Sequence, residues 1–255
     1  MVDWTGLTLF IYISARMSGF VLFNPLFGRS SIPGIVRTGI VLVLTMSVAS
    51  TTRQEVTVPS GLLMLIIRIL LELALGFLLG MIMNFFFYIP RMAGEAIDTQ
   101  MGMTMNQIYD PASQSNMSVT GVLLNLLMTL LFFAANGHHT LLRIMLTSGE
   151  IIPFGSATLG PDVLNRMLGL FMECTVFAVK LCLPVLAAEL LGQIGMGVLM
   201  KVIPQINVFS INIELKVLIG LFLIFLLIAP FSEFFLKIEL EMLNSLREML
   251  TLASG

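Results

Sequence analysis

Charged side chains are scarce in this sequence. Asp, Glu, Lys and Arg make up 11% of 255 residues, where a soluble domain carries about a quarter. Hydrophobic residues make up 57% and the mean hydropathy is +0.99. A water-soluble fold of this length would lack the polar surface to cover itself. The few charges nearly cancel, 13 basic against 15 acidic for a net −2. They form no basic stripe, so nucleic acid is not an expected partner. Cysteine is almost absent: Cys174 and Cys182 lie inside an apolar run, make no CxxC motif, and read as buried, inert thiols. Signatures of chemistry are missing too. There is no P-loop, no GxSxG and no HExxH, and Gly192, Gly195 and Gly197 do not have the GxGxxG spacing. His138 and His139 are adjacent, a poor geometry for one metal, and read as loop or helix-cap residues. Glu95 and Asp98 read as a polar helix end in preference to an acid/base pair. Neither an enzyme nor a metal or cofactor protein is expected.

What is present is helix. Apolar stretches run near Thr5–Phe27, Gly34–Ala49, Gly61–Ile89, Val119–Ala135, Val163–Met200 and Leu215–Phe235. Prolines at 25, 33, 59, 90, 111, 153, 161 and 204 fall at or between them, where helices should stop. Pro184 lies inside the fifth stretch and predicts a kink or split, and Pro230 predicts a distorted end to the sixth. The opening Met1-Val2-Asp3-Trp4 lacks the positive start of a cleaved leader, so the first stretch is expected to remain. The composition predicts an all-α chain forming one domain over 1–255. The stretches are uneven, however. A bilayer core of about 30 Å needs about 20 helical residues, and Gly61–Ile89 would run roughly 43 Å. Such scatter suggests helices packed on other protein at uneven depths.

The embedded charges agree. Arg16, Arg68, Glu72, Glu173, Lys180 and Glu189 all lie in apolar stretches. Each costs roughly 2.5–3.5 kcal/mol at the centre of a lipid-exposed helix. Together they would exceed a typical folding stability of about 5–15 kcal/mol, so most must face protein or water. Arg68 and Glu72 are spaced i,i+4, which predicts an ion pair on one helix face. Gly76 and Gly80 form GxxxG, a spacing that permits close helix approach. Lys and Arg do not segregate between alternate loops, so no orientation follows.

The longest non-hydrophobic segment, at about 91–118, is rich in methionine. Met101, Met103 and Met105 alternate, followed by Asn106, Ile108, Tyr109, Asp110, Pro111 and Met117. A segment this long is usually functional or disordered, and this one is too apolar for a disordered linker. Methionine is unbranched and adaptable. The cluster therefore suits either a repacking seal or the filling of gaps between helices.

Three blocks carry a resemblance. The first is Arg16-Met17-Ser18-Gly19, Asn24-Pro25-Leu26-Phe27-Gly28, Ile32-Pro33 and Arg37. The second runs from Glu72-Leu73-Ala74-Leu75-Gly76 through Ala93-Gly94-Glu95, Gln100-Met101-Gly102, Asp110-Pro111 and Asn136-Gly137-His138 to Ser148 and Pro153-Phe154-Gly155. The third is Leu183-Pro184, Gly197 and Pro204-Gln205-Ile206-Asn207-Val208-Phe209. In this order and spacing they resemble the FliR family of flagellar type III export-gate proteins, over about Trp4 to Phe235. Virulence-injectisome counterparts share much of the pattern. Lys201 departs from it, standing where the family often has arginine; charge survives but a planar fork contact would not. The segment 237–255 matches nothing in the pattern.

The resemblance implies a subunit that joins FliP and FliQ, with FlhB associated, in a helical core complex of the bacterial inner membrane at the flagellum basal body. That core would be the entry portal for unfolded export substrates, touching lipid only in part. The alternative is the equivalent subunit of an injectisome export gate. The resemblance also places the methionine-rich loop in the pore, favouring a plug or gasket formed by Met101, Met103, Met105, Asn106, Ile108, Tyr109, Asp110, Pro111 and Met117. Pro204 should end its helix, with Gln205 and Asn207 capping exposed backbone groups. With Lys201 they predict a hairpin turn or subunit contact near the portal mouth. A secondary transporter would also bury charges and break a helix at a site such as Pro184, but no inverted repeat is visible.

Overall fold

A computed structural model describes residues 4–28, 32–52, 54, 56, 59, 61–103, 107–110, 115–202 and 208–254. The fold is all-α. The helices are α1 (Trp4–Phe23), α2 (Gly34–Thr51), α3 (Leu62–Met101), α4 (Val119–Ala134), α5 (Gly137–Ile151), α6 (Pro161–Val202), α7 (Val208–Leu226) and α8 (Ile228–Leu252). Two short strands, β1 (Gln107–Asp110) and β2 (Ser115–Ser118), pair antiparallel between α3 and α4. The chain divides into two compact units. Unit 1 holds Met1–Phe86, Asn136–Phe171 and Glu239–Gly255; unit 2 holds Phe87–Ala135 and Met172–Ile238.

Unit 1 is built on the close approach of α1 to α3. A Cβ added at Gly76 would strike the carbonyl of Arg16, and one at Gly80 would meet the backbone of Phe23. Gly19 returns the favour from α1, lying against the carbonyl of Leu73. The GxxxG spacing thus brings the two backbones together, as its small residues allow. Tyr12, Met17 and Phe20 of α1 and Leu75, Leu79 and Met83 of α3 are fully buried around that crossing. Asn24 ends the α1 side: its Oδ1 accepts from Leu26 N at 2.8 Å, an Asx turn that stops the helix before Pro25.

Unit 2 closes its core with aromatic and methionine side chains. Phe87 of α3 meets Phe132 of α4 edge-on, with centroids 5.9 Å apart. Met101 is fully buried at the end of α3, and a Cβ at Gly220 of α7 would lie 2.6 Å from its sulfur. That glycine is what lets the side chain seat.

Prolines act less as helix stops than their positions predict. Pro90 lies inside α3, which continues to Met101, and Pro184 lies inside α6, which is not split. Each removes one backbone hydrogen bond at a cost of about 3 kcal/mol in a soluble helix interior. Packing and apolar surroundings, where no water competes for the backbone, keep such helices continuous. Pro230 belongs to the first turn of α8, after a 60° bend from α7. Its missing N–H would have had no helical acceptor on α8 itself, so proline fits the start of a new helix better than the end of the old one. Helix α5 was not among the expected apolar stretches, because its His138, His139, Arg143 and Glu150 dilute the run. The two histidines sit in its first turn.

Candidate functional site

The segment between α3 and α4 is fastened at its base. Gly102 adopts φ +79 after the last turn of α3, donating to Thr99 O at 3.2 Å, while Met103 N donates to Asp98 O at 2.8 Å. This is the Schellman pair of bonds, which only a left-handed residue, usually glycine, completes. On the other side, Ser118 caps α4, its Oγ accepting from Gly121 N at 3.1 Å. Gly94 of α3 lies directly against the backbone of Gly121, so the two helices touch where the segment leaves and returns. Between them β1 and β2 pair in the register Gln107↔Ser118, Ile108↔Met117, Tyr109↔Asn116 and Asp110↔Ser115. Alternation along a strand puts Ile108 and Met117 on one face and Tyr109 and Asn116 on the other.

The expected seal residues therefore separate. Met101 and Met117 are buried within the unit. Met103 is half-buried. Ile108 and Tyr109 are 47% and 59% exposed, and these are the apolar groups that the described residues of the hairpin offer. Met105, Asn106 and Pro111 lie outside the described residues, as does the Asp110 side chain. Pro204, Gln205 and Asn207 also lie outside them. Lys201 is exposed in the last turn of α6, where a cation complements the helix dipole.

A second polar centre lies within unit 1. Glu72 does not turn to Arg68 of its own helix. Its Oε2 accepts from Arg16 Nε of α1 at 2.6 Å, and both side chains are fully buried. Its Oε1 accepts from Gly155 N at 2.7 Å. The rest of the guanidinium is also engaged: Nη1 and Nη2 donate to Ile152 O at 3.2 and 3.1 Å, Nη1 reaches Ser148 Oγ at 3.3 Å, and the Phe154 ring centroid lies 4.3 Å from Cζ. The planar five-donor fork of arginine suits such a site. Gln54 adds a clamp from outside, donating to Gly149 O at 2.7 Å and accepting from Phe154 N at 3.2 Å. The network ties α1 and α3 to the turn after α5, with every member on hand to offset desolvation. Among the described residues no group of three His, Cys, Asp or Glu side chains is placed to hold a metal.

A family model for bacterial export proteins, family 1, matches residues 7–242. The chain belongs to this family. It is similar to the flagellar biosynthetic protein FliR of Escherichia coli, 30% identical over 89% of this chain and 88% of that protein. It is also similar to FliR of Pectobacterium carotovorum, 27% identical over 100% of this chain and 97% of that protein. The surface presentation of antigens protein SpaR of Salmonella typhimurium is 25% identical over 85% of this chain and 81% of its own length.

As a FliR-family protein, the chain is a multi-pass membrane component of a type III export gate. Among the described residues, helices α1, α2, α3 and α6 are each long and apolar enough to cross a membrane, and up to six candidate spans result if two bent helix pairs count as one each. Helices α3 and α6 have 40 and 42 residues, about twice what a bilayer core requires. The FliR-family chain also leaves large apolar side chains uncovered: Ile35 and Val43 on α2, Leu62 and Leu63 on α3, Leu168 and Leu191 on α6. Surfaces of this kind mark contact with lipid or other subunits. Of the embedded charges, Arg16, Glu72 and Glu189 are buried within the chain, Arg68 and Glu173 are half-buried, and Lys180 is exposed.

Asp98 lies in the polar last turn of α3, as expected, but it is buried, 2% exposed, and reaches Thr120 of α4, a contact that sequence reading missed. The available signals were Gly102 after a polar helix end and Ser118 before an apolar run.

Proposed function

We propose that this chain is a subunit of the flagellar type III export gate in the bacterial inner membrane, at the flagellum basal body. With FliP and FliQ, and with FlhB associated, it forms the entry portal for unfolded flagellar substrates, and the β1–β2 hairpin closes that portal at rest. The observation that carries the reading is a hairpin fastened at both ends to an apolar helical unit, with Ile108 and Tyr109 exposed on it. A short projection with two exposed apolar side chains can block ions and still be displaced, because strands of four residues add little stability of their own. The uncovered apolar side chains on α2, α3 and α6 support assembly with other hydrophobic subunits.

Two measurements test this. Mild-detergent purification should recover the chain together with FliP and FliQ; a chain that is stable and solitary would favour a secondary transporter. Deleting residues 106–116 should leave the complex assembled and raise ion leakage across the membrane, and an assembled complex with unchanged leakage removes the plug. The segment Pro204, Gln205 and Asn207, with Lys201 before it, is a subunit contact in this reading. A Gln205→Ala chain is expected to assemble poorly, and normal assembly and export would count against that contact.

The alternative is an injectisome export gate, supported by the likeness to SpaR. The flagellar reading is favoured by the higher identity and fuller coverage of the two FliR relatives. Restoration of swimming in a strain lacking its FliR, with no restoration of injectisome secretion, is the result expected.

A further inference from the structure

We infer that Asp98 is the positioning residue of the hairpin: a single side chain and its own carbonyl hold both ends of the segment, so its contacts set how often the gate opens. The inference rests on the gate reading above. Three observations carry it. The first is that the Asp98 carbonyl accepts from Met103 N at 2.8 Å, fixing the residue with which the chain leaves α3. The second is that its carboxylate takes Thr120, where the chain re-enters helix: Oδ2 accepts from Thr120 N at 3.1 Å, and Oδ1 accepts from the Thr120 hydroxyl. The third is burial. Asp98 is 2% exposed and Thr120 is 2% exposed, so water does not compete for these bonds.

The chemistry of the contact makes it a clasp and not an ordinary packing contact. Thr120 is the second residue of α4, and its N–H is one of the amides at a helix start that lack a helical acceptor. Ser118 satisfies Gly121 N, leaving Thr120 N to Asp98. A carboxylate at a helix N-terminus is also favoured by the helix dipole, and hydrogen bonds to a charged acceptor are roughly twice as strong as neutral ones. The glycine pair Gly94 and Gly121 brings the two helices close enough for so short a side chain to span the gap. Strands of four residues add little stability of their own. The base therefore governs the position of the hairpin more than the strands do.

The test compares four purified complexes in liposomes: intact, Asp98→Ala, Thr120→Val, and the 106–116 deletion. Each is measured for passive ion leak, complex yield and thermal stability. Loss of hydrogen bonds to a charged acceptor should raise the open fraction about 10- to 100-fold. D98A is therefore expected to leak more than the intact complex, toward the level of the deletion, at near-normal yield. Asp98→Asn, which keeps one acceptor oxygen, is expected to fall between. Leak that rises with unchanged yield and stability is what a merely structural role would not give. A tight D98A complex beside a leaking deletion overturns the clasp and leaves the gate reading standing. If both are tight, the gate reading itself falls. Where D98A fails to assemble, T120V carries the test, since it removes only the hydroxyl contact: a leak above that of the intact complex supports the clasp, and an equal one overturns it.

Discussion

An Arg16→Met chain is expected to accumulate poorly and to lose its fold at far lower temperature than the intact protein. Arg16 is fully buried, and its Nε meets Glu72 Oε2 at 2.6 Å. Removing it leaves a carboxylate in the apolar core of unit 1 with only Gly155 N as a partner. Breaking a buried pair from one side costs about 3–5 kcal/mol, a large share of a typical stability of about 5–15 kcal/mol. Glu72→Leu should also be severe, though less so, because Ile152 O, Ser148 and the Phe154 ring still face the cation. The double variant is the decisive one. With both charges gone the desolvation penalty goes too; the neutral groups Ile152 O and Gly155 N lose partners, at about 1–3 kcal/mol each, and Ser148 Oγ keeps its bond to Met145 O. The double variant should therefore be more stable than R16M alone. Thermal loss of the detergent-purified protein, followed by size-exclusion chromatography, reads the cycle. Single and double variants of additive cost would show that the pair is not coupled.

Gly76→Leu is expected to be as damaging for a different reason. The new Cβ would strike the carbonyl of Arg16, which is backbone and can move only if α1 moves. Overpacking a core costs about 1–3 kcal/mol and occasionally more. Here the displaced residue is the one that reaches Glu72, so steric and electrostatic losses add. Even Gly76→Ala should lower the unfolding temperature. Gly39→Ala on α2 is the control: nothing lies within 4 Å of its added Cβ, and alanine is the better helix former by about 1 kcal/mol. Equal effects at positions 39 and 76 would refute the close crossing.

Both predictions turn on contacts between residues far apart in sequence, and this is where sequence reading reaches its limit. That most of the embedded charges must face protein or water followed from their cost in lipid alone. Which partner Glu72 takes did not follow. Arg68, one turn away, satisfies the helical spacing rule, yet Arg16 lies 56 positions off and wins. A buried carboxylate is stabilised by the donor that loses its water with it, and Arg16 is the donor that the glycine crossing carries into the core.

The same division runs through the chain. Apolar runs interrupted by glycine and proline determined an all-helical membrane fold and the place of the methionine-rich segment, because these depend on composition and on spacing within a few residues. The blocks from Arg16 to Phe209 determined the family. The tertiary structure decided the rest: that Pro90 and Pro184 remain within helices, that Met101 seats against Gly220 while Ile108 and Tyr109 stay exposed, and that Asp98 closes the base of the hairpin. Each is a choice between locally acceptable arrangements, settled by which groups the packed helices bring within reach and shield from water.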